Sequence, residues 1–284
     1  MPTSCHLAPP RATSQVFLDF CSLCQKDAAG QRTKAEVAGF GRALGNLDKL
    51  YSHQFTTVLM LTELPPLYPQ GYAFADAFAD GTPCTPNQAE YAGRGWCFCE
   101  ASMAALIKMP ELLLDVAKFR GFGEKLSTHV LFSTCSAGRR PPLLPDAFAT
   151  ALEAKSFTSK KADLGVVSRL YAAAFSARVG SAWMLMYTGH QWSDAEGELI
   201  VRDVVPRAMD MKSLHLGTAN YLGMPTVKAL ASVLSDPGVA PKLKSVGLEN
   251  SYNEFWDSEE NRQEAKEALT AVRPGLDVRV SFAG

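Results

Sequence analysis

Hydrophobic runs in the first half of the chain come in two lengths. Val16-Phe17-Leu18-Asp19-Phe20 and Thr57-Val58-Leu59-Met60-Leu61 are short, nearly continuous and rich in β-branched or aromatic residues, the pattern of strands covered on both faces. Between them Val37, Phe40, Leu44, Leu47 and Tyr51 recur at spacings of 3, 4, 3 and 4, which places all five on one face of a predicted helix. Strand, helix and strand together predict a βαβ crossover in a parallel sheet. A further helix is predicted from Arg94 to Lys108, where Cys99, Met103 and Leu106 or Ile107 keep helical spacing until Pro110. Ser127 to Ser133 reads as another strand. Two more helices follow, one opened by Pro145-Asp146 and one carrying Leu164, Val167, Tyr171 and Ala174.

The last hundred residues repeat. Met184 and Met186, Leu214 and Leu216, Val246 and Leu248, and Val278 and Val280 are apolar-x-apolar pairs offset by 30, 32 and 32 residues. A helical segment follows each pair but the last. The first has a capping box, Ser193-Asp194-Ala195-Glu196. The second has Pro225 in its first turn and Val227, Leu230, Ala231 and Leu234 on one face. The third opens at Asp257-Ser258-Glu259-Glu260 and buries Ala265, Ala268, Leu269 and Val272. One strand and one helix per roughly 30 residues is the arithmetic of a leucine-rich-repeat solenoid of the longer, ribonuclease-inhibitor type. The asparagine that normally follows the strand is matched at Asn220. Alternation turns Leu185, His215, Gly247 and Arg279 outward in one row on the sheet face, the surface on which such repeats bind partners.

Composition narrows the function classes. The 284 residues are 47% hydrophobic and 20% charged, with 28 Lys and Arg against 29 Asp and Glu. A net charge of -1 gives no global basic field, so neither nucleic acid nor an anionic membrane is an expected partner. No apolar run approaches the roughly 20 residues of a membrane span, and Met1 to Thr13 fits neither a secretory signal nor an anchor. Seven cysteines, an odd count, suit a reducing, cytoplasmic location. Residues 136–180 are the basic block, with seven basic against three acidic side chains, and begin with the Pro-rich stretch Ala137 to Pro145. The expected organisation is therefore an α/β domain at 1–135, a basic helical linker at 136–180 and a leucine-rich-repeat-like unit at 181–284.

Three segments of the first block carry a resemblance. Val16 to Asp27, Leu50-Tyr51-Ser52-His53, and Tyr91-Ala92-Gly93-Arg94-Gly95-Trp96-Cys97-Phe98-Cys99-Glu100 resemble a family of eukaryotic microbial proteins whose sheet domain is similar to a TIR domain and which can carry leucine-rich repeats downstream. Trp96, Cys97 and Glu100 match the Trp-Cys-x-x-Glu helix start of TIR domains. The resemblance covers residues 15–108 and implies a partial TIR-like, flavodoxin-like parallel sheet. Only 15 residues precede Val16, so the first strand and helix of that sheet are expected to be missing. TIR enzymes that cleave NAD use a glutamate on the helix that here ends Leu47-Asp48-Lys49-Leu50-Tyr51, where none follows Glu36. That catalytic route is not expected.

Other chemistry is sparse. Cys21-x-x-Cys24 with Cys97-x-Cys99 is badly spaced for four-thiolate zinc, and His53, His129, His190 and His215 fall at no metal-ligand spacing. No metal or cofactor is expected. The sequence therefore predicts a non-catalytic, cytoplasmic signalling scaffold that binds a protein partner through Leu185, His215, Gly247 and Arg279. The alternative is an enzyme acting on NAD or another nucleotide at the carboxyl edge of the sheet, where Asp19, Glu63 and Glu100 are the available carboxylates. That alternative requires the three to meet in one pocket.

Overall fold

The computed structural model describes residues 17, 23–24, 27, 31–63, 89–120, 127–157 and 160–283. The predicted strand at 16–20 lies outside these residues, save for Phe17 alone. The described residues up to Gly45 and those from Asn46 onward fall into two compact units.

In the first unit, α1 (Lys34–Leu44) starts at a capping box: Thr33 N–H donates to Glu36 Oε2 at 2.8 Å, and Glu36 N–H returns to Thr33 Oγ1 at 3.3 Å. The same bonds hold the Glu36 carboxyl below its usual pKa. Arg32 lies 3.9 Å from the centroid of the Phe40 ring. No residue of α1 is buried.

In the second unit, α2 (Leu47–Tyr51), β1 (Val58–Met60), α3 (Gly95–Ala104), β2 (Leu113–Asp115), α4 (Thr128–Cys135), α5 (Pro145–Glu153) and α6 (Lys160–Gly180) are followed by an alternating series: β3 (Met184–Met186), α7 (Asp194–Leu199), β4 (Ser213–His215), α8 (Met224–Leu234), β5 (Ser245–Ser251), α9 (Glu259–Val272) and β6 (Asp277–Phe282). The protein is thus mixed α/β with parallel sheets: β1 pairs with β2, and β3, β4, β5 and β6 lie side by side in chain order.

Several expectations are corrected. Val37 to Tyr51 is not one helix, because Gly45 closes α1 by donating to Gly41 O, and Leu47 begins α2 in the other unit. Val37 is accordingly exposed while Leu47 is buried. The βαβ crossover that does form is β1–α3–β2. Its second strand, where Leu113 and Leu114 are both buried, was hidden in the short run after Pro110. Ser127 to Ser133 is helical because Ser127 caps α4, accepting from Val130 N–H at 3.3 Å. Residues 136 and 181 both lie inside the second unit.

The helix predicted from Arg94 to Lys108 forms over the shorter span of α3, those predicted at Pro145-Asp146 and at Leu164 to Ala174 form as α5 and α6, and the three share one core. Met103, Phe148, Val167 and Tyr171 are fully buried. Phe98, Phe148 and Tyr171 stack at centroid distances of 5.0 and 3.8 Å, and Tyr171 O–H donates to Leu143 O. The α3 start approaches the segment that follows α5 so closely that a Cβ at Gly95 would lie 1.9 Å from the Phe157 ring.

The alternating series follows the predicted capping. Ser193 and Glu196 form the capping box of α7, which runs on through a π-helical turn (Ile200–Val204), and Ser258 caps α9. Leu185, Leu214, Val246 and Val278 pair across the sheet and are buried, so the repeat steps are 29, 32 and 32 residues. The first step differs from the expected 30, and this moves β3 by one residue. Leu185 therefore points into the core, and Met186 stands in register with His215, Gly247 and Arg279. The strand offers apolar residues at both parities, and Tyr187 decides between them. Its ring lies beneath the Arg139 guanidinium at 4.6 Å and its hydroxyl donates to Leu106 O at 2.8 Å. Tyr187 must face inward for this, and Leu185, two residues earlier, follows.

Candidate functional site

The face of the four-stranded sheet opposite the buried row is assembled from alternate residues of each strand. Met184 and Met186 on β3 are half-buried, as are Ser213 and His215 on β4 and Ser245 on β5, whereas Asp277 and Arg279 on β6 are exposed. The surface grades from apolar at β3, through hydroxyl and imidazole groups, to a charged edge. Ser213 Oγ sits 2.8 Å from His215 Nε2 and 2.6 Å from Ser245 Oγ, forming a hydrogen-bonded chain across two strands. Arg279 holds Asp277 Oδ2 through Nε and Nη2 at 2.9 and 2.7 Å, and Asp277 raises the pKa of the guanidinium. This charged pair also marks an edge strand, where charge discourages unwanted strand addition.

Gly247 is required by its neighbour. A Cβ there would meet His215 Nδ1 at 2.8 Å, so the imidazole lies across the glycine backbone. Gly247→Val is expected to displace the ring and break the 2.8 Å bond to Ser213 while leaving the sheet paired. A change in the chemical shifts of the His215 ring protons in NMR, without a change in far-UV circular dichroism, checks this. Among the described residues no carboxylate is within ion-pair distance of the His215 ring, so the Ser213–His215 contact lacks the third, orienting group of a catalytic triad there.

The loops that leave the strands are joined by Asn220, which is fully buried. Its Oδ1 accepts from the N–H groups of His190 and Trp192, both at 3.1 Å, and its Nδ2 donates to Tyr187 O and Leu216 O, both at 2.7 Å. All four hydrogen-bonding positions of the amide are used. Gln191, Ala219 and Asn250, all at positive φ, lie in successive turns linked by Gln191 N–H to Ala219 O and Ala219 N–H to Asn250 O.

Beside this loop, the buried His190 Nε2 has no partner. Burial, helped by the nearby Arg139 charge, pushes the imidazole down to about 3 from an ordinary 6.5. Between those values the unfolded chain takes up a proton that the native state refuses, so this contribution is complete above pH 6.5 and disappears as pH falls toward 3. Denaturant unfolding of the wild type is expected to lose on the order of 3 kcal/mol more than His190→Phe between pH 7 and pH 4. Parallel pH profiles for the two proteins would refute the assignment.

Two of the three candidate carboxylates, Glu63 and Glu100, fall among the described residues. Glu63 is exposed and pairs with Arg120 at 2.9 Å. Glu100 is half-buried on α3, and Asp19 lies outside the described residues. The carboxyl ends of β1 and β2 do open onto a cavity of about 500 Å³, but neither Glu63 nor Glu100 lines it. Its carboxylate is Asp115, which sequence reasoning missed because β2 was not recognised.

Trp96, Cys97 and Glu100 all lie on α3. Trp96 packs against the core and its indole N–H donates to Asp163 Oδ2 at 3.2 Å, tying α3 to α6. Cys97 is half-buried, and burial raises the pKa of its neighbour Cys99.

No protein-family model matches the chain, and no curated protein or solved structure matches it. No helix among the described residues is long and apolar enough to cross a membrane.

Proposed function

We propose that this chain is a cytoplasmic, non-catalytic signalling scaffold in which a TIR-like sheet half is joined to a leucine-rich-repeat-like unit that binds a protein partner through its open sheet face. The observation that carries the reading is the row Met186, His215, Gly247 and Arg279, in register on adjacent parallel strands and opposite the buried row. A buried asparagine that satisfies the backbone of two successive turns supports the repeat assignment. The mixture of apolar, hydroxyl and charged groups suits a protein surface better than a nucleic acid, which requires a positive field.

The test compares variants on opposite faces. His215→Glu with Arg279→Glu is expected to reduce co-purification of specific cellular proteins at least tenfold, while Lys228→Glu on the outer surface of α8 leaves it unchanged. Equal recovery with both variants would sink the proposal.

A further inference from the structure

We infer that the cavity at the carboxyl ends of β1 and β2 binds a small organic anion: a flat, largely apolar body carrying a single carboxylate or phosphate. The site is independent of the sheet face, because every residue lining it lies outside β3 to β6.

Three observations support it. The first is space: about 500 Å³ is within the range of small-molecule sites. The room exists because α3 presents Ala101 and Ser102 to the cavity and its C-cap presents Ala105, short side chains on a helix whose other face is packed.

The second is charge. Lys118, Arg140 and Lys155 border the cavity, as does buried Arg139, against the single carboxylate of Asp115. Asp115 is already engaged, its Oδ1 accepting from Thr62 Oγ1 at 2.5 Å and Ala117 N–H at 3.1 Å. Arg139 is likewise engaged by backbone carbonyls. Lys118 and Lys155 each donate once, to Ser136 O at 2.6 Å and Ala92 O at 2.8 Å, which leaves further ammonium donors. None of Lys118, Arg140 and Lys155 has a carboxylate partner among the described residues. The uncompensated charge is therefore positive and lies at the rim, where it meets an anion without full desolvation of the cations.

The third is the wall. Phe98 and Met60 provide aromatic and aliphatic surface backed by buried Tyr171 and Leu113, and Lys155 Nζ stands 4.6 Å from the Phe98 ring centroid. A planar body against this wall places its anionic substituent among the rim cations. The position also agrees with the general placement of ligands beyond the carboxyl ends of parallel strands.

Calorimetry and saturation-transfer NMR on the full chain with 2-naphthoate and phenyl phosphate test the inference. At least one of the anions is expected to bind saturably, and at least tenfold more tightly than 2-naphthylmethanol, with 2-naphthylmethylamine weaker still. Ala101→Phe fills the cavity and is expected to abolish binding. Arg140→Gln, at an exposed position that does not threaten folding, is expected to weaken the anions about tenfold and leave the alcohol unchanged. The inference is overturned if neither anion binds the folded chain at millimolar concentration, if alcohol and anion bind equally, or if Arg140→Gln has no effect. His215→Glu with Arg279→Glu is expected to bind the anions as the wild type does, so failure of this site and failure of the partner face are separately visible.

Discussion

Arg139→Met is expected to lower the free energy of unfolding by about 3 to 5 kcal/mol, the largest effect of any single substitution considered for this protein. Arg139 is only 4% exposed, and its guanidinium donates to the carbonyl oxygens of Ala105, Leu106, Lys108 and Met186. The first three follow the end of α3, where a cation is favoured by the helix dipole, and the fourth belongs to β3. One side chain thus joins the β1–β2 half of the unit to the first strand of the four-stranded sheet. Methionine fills part of the volume but deprives the Ala105, Lys108 and Met186 oxygens of this donor, each at a cost of about 1–3 kcal/mol before relaxation, while Leu106 O keeps its bond from the Tyr187 hydroxyl.

A compensating gain keeps the net loss below the sum of those costs. Lys108 is also buried, with Nζ donating to His53 O, Thr56 O and Thr56 Oγ1. Burial, then the nearby Arg178 and Arg139 charges, push it down to about 7 from an ordinary 10.5. Because the unfolded chain binds the proton more tightly, Lys108 makes stability rise with pH between about 7 and 10.5. Removing the Arg139 charge relieves one part of this repulsion. Guanidinium unfolding at pH 7.5 measures the net effect. Arg139→Lys, which keeps the charge but cannot reach all four carbonyls, is expected to fall between the two. A loss under about 1 kcal/mol for Arg139→Met would show that the carbonyls find water or other donors.

Asn220→Ala is expected to cost about 3 kcal/mol. It removes four hydrogen bonds from a fully buried amide and leaves His190 N–H, Trp192 N–H, Tyr187 O and Leu216 O without this partner. Asn220→Asp retains the two accepting bonds but brings a charge against two carbonyl oxygens, and is expected to be at least as damaging. Hydrogen exchange locates the effect: the amides of 187–192 and 216–222 are expected to lose protection first, while α5 and α6 remain protected. Uniform loss across the second unit would mean that Asn220 supports global stability rather than the junction of two turns.

The repeat of the last hundred residues was legible because strand and helix carry different periods and recur at near-constant spacing. The same holds for the capping box at Ser193 and the serine cap at Ser258, and for the helices whose apolar faces carry Cys99 and Met103 or Val167 and Tyr171, all of which are local signals. The register of β3 was not legible, since Met184, Leu185, Met186 and Tyr187 are apolar at both parities. Inward or outward was decided by Tyr187, which packs on Arg139, 48 residues earlier in the chain. Ser127 to Ser133 shows the opposite case, where an apolar run suited to a strand becomes helix α4 with its own serine cap.

The candidate sites divide along the same line. Sequence alone determined that residues 181–283 alternate strands and helices, and it placed His215, Gly247 and Arg279 together on one sheet face. Only the tertiary structure put Met186 rather than Leu185 in that row, turned the Pro-rich stretch around Arg139 into a buried clasp, and kept Glu63 and Glu100 out of the cavity that Asp115 lines. Periodicity reports which side of its own element a residue occupies. Which elements meet is set by long-range pairings such as Arg139 with Met186 and Trp96 with Asp163, which leave no local pattern in the chain.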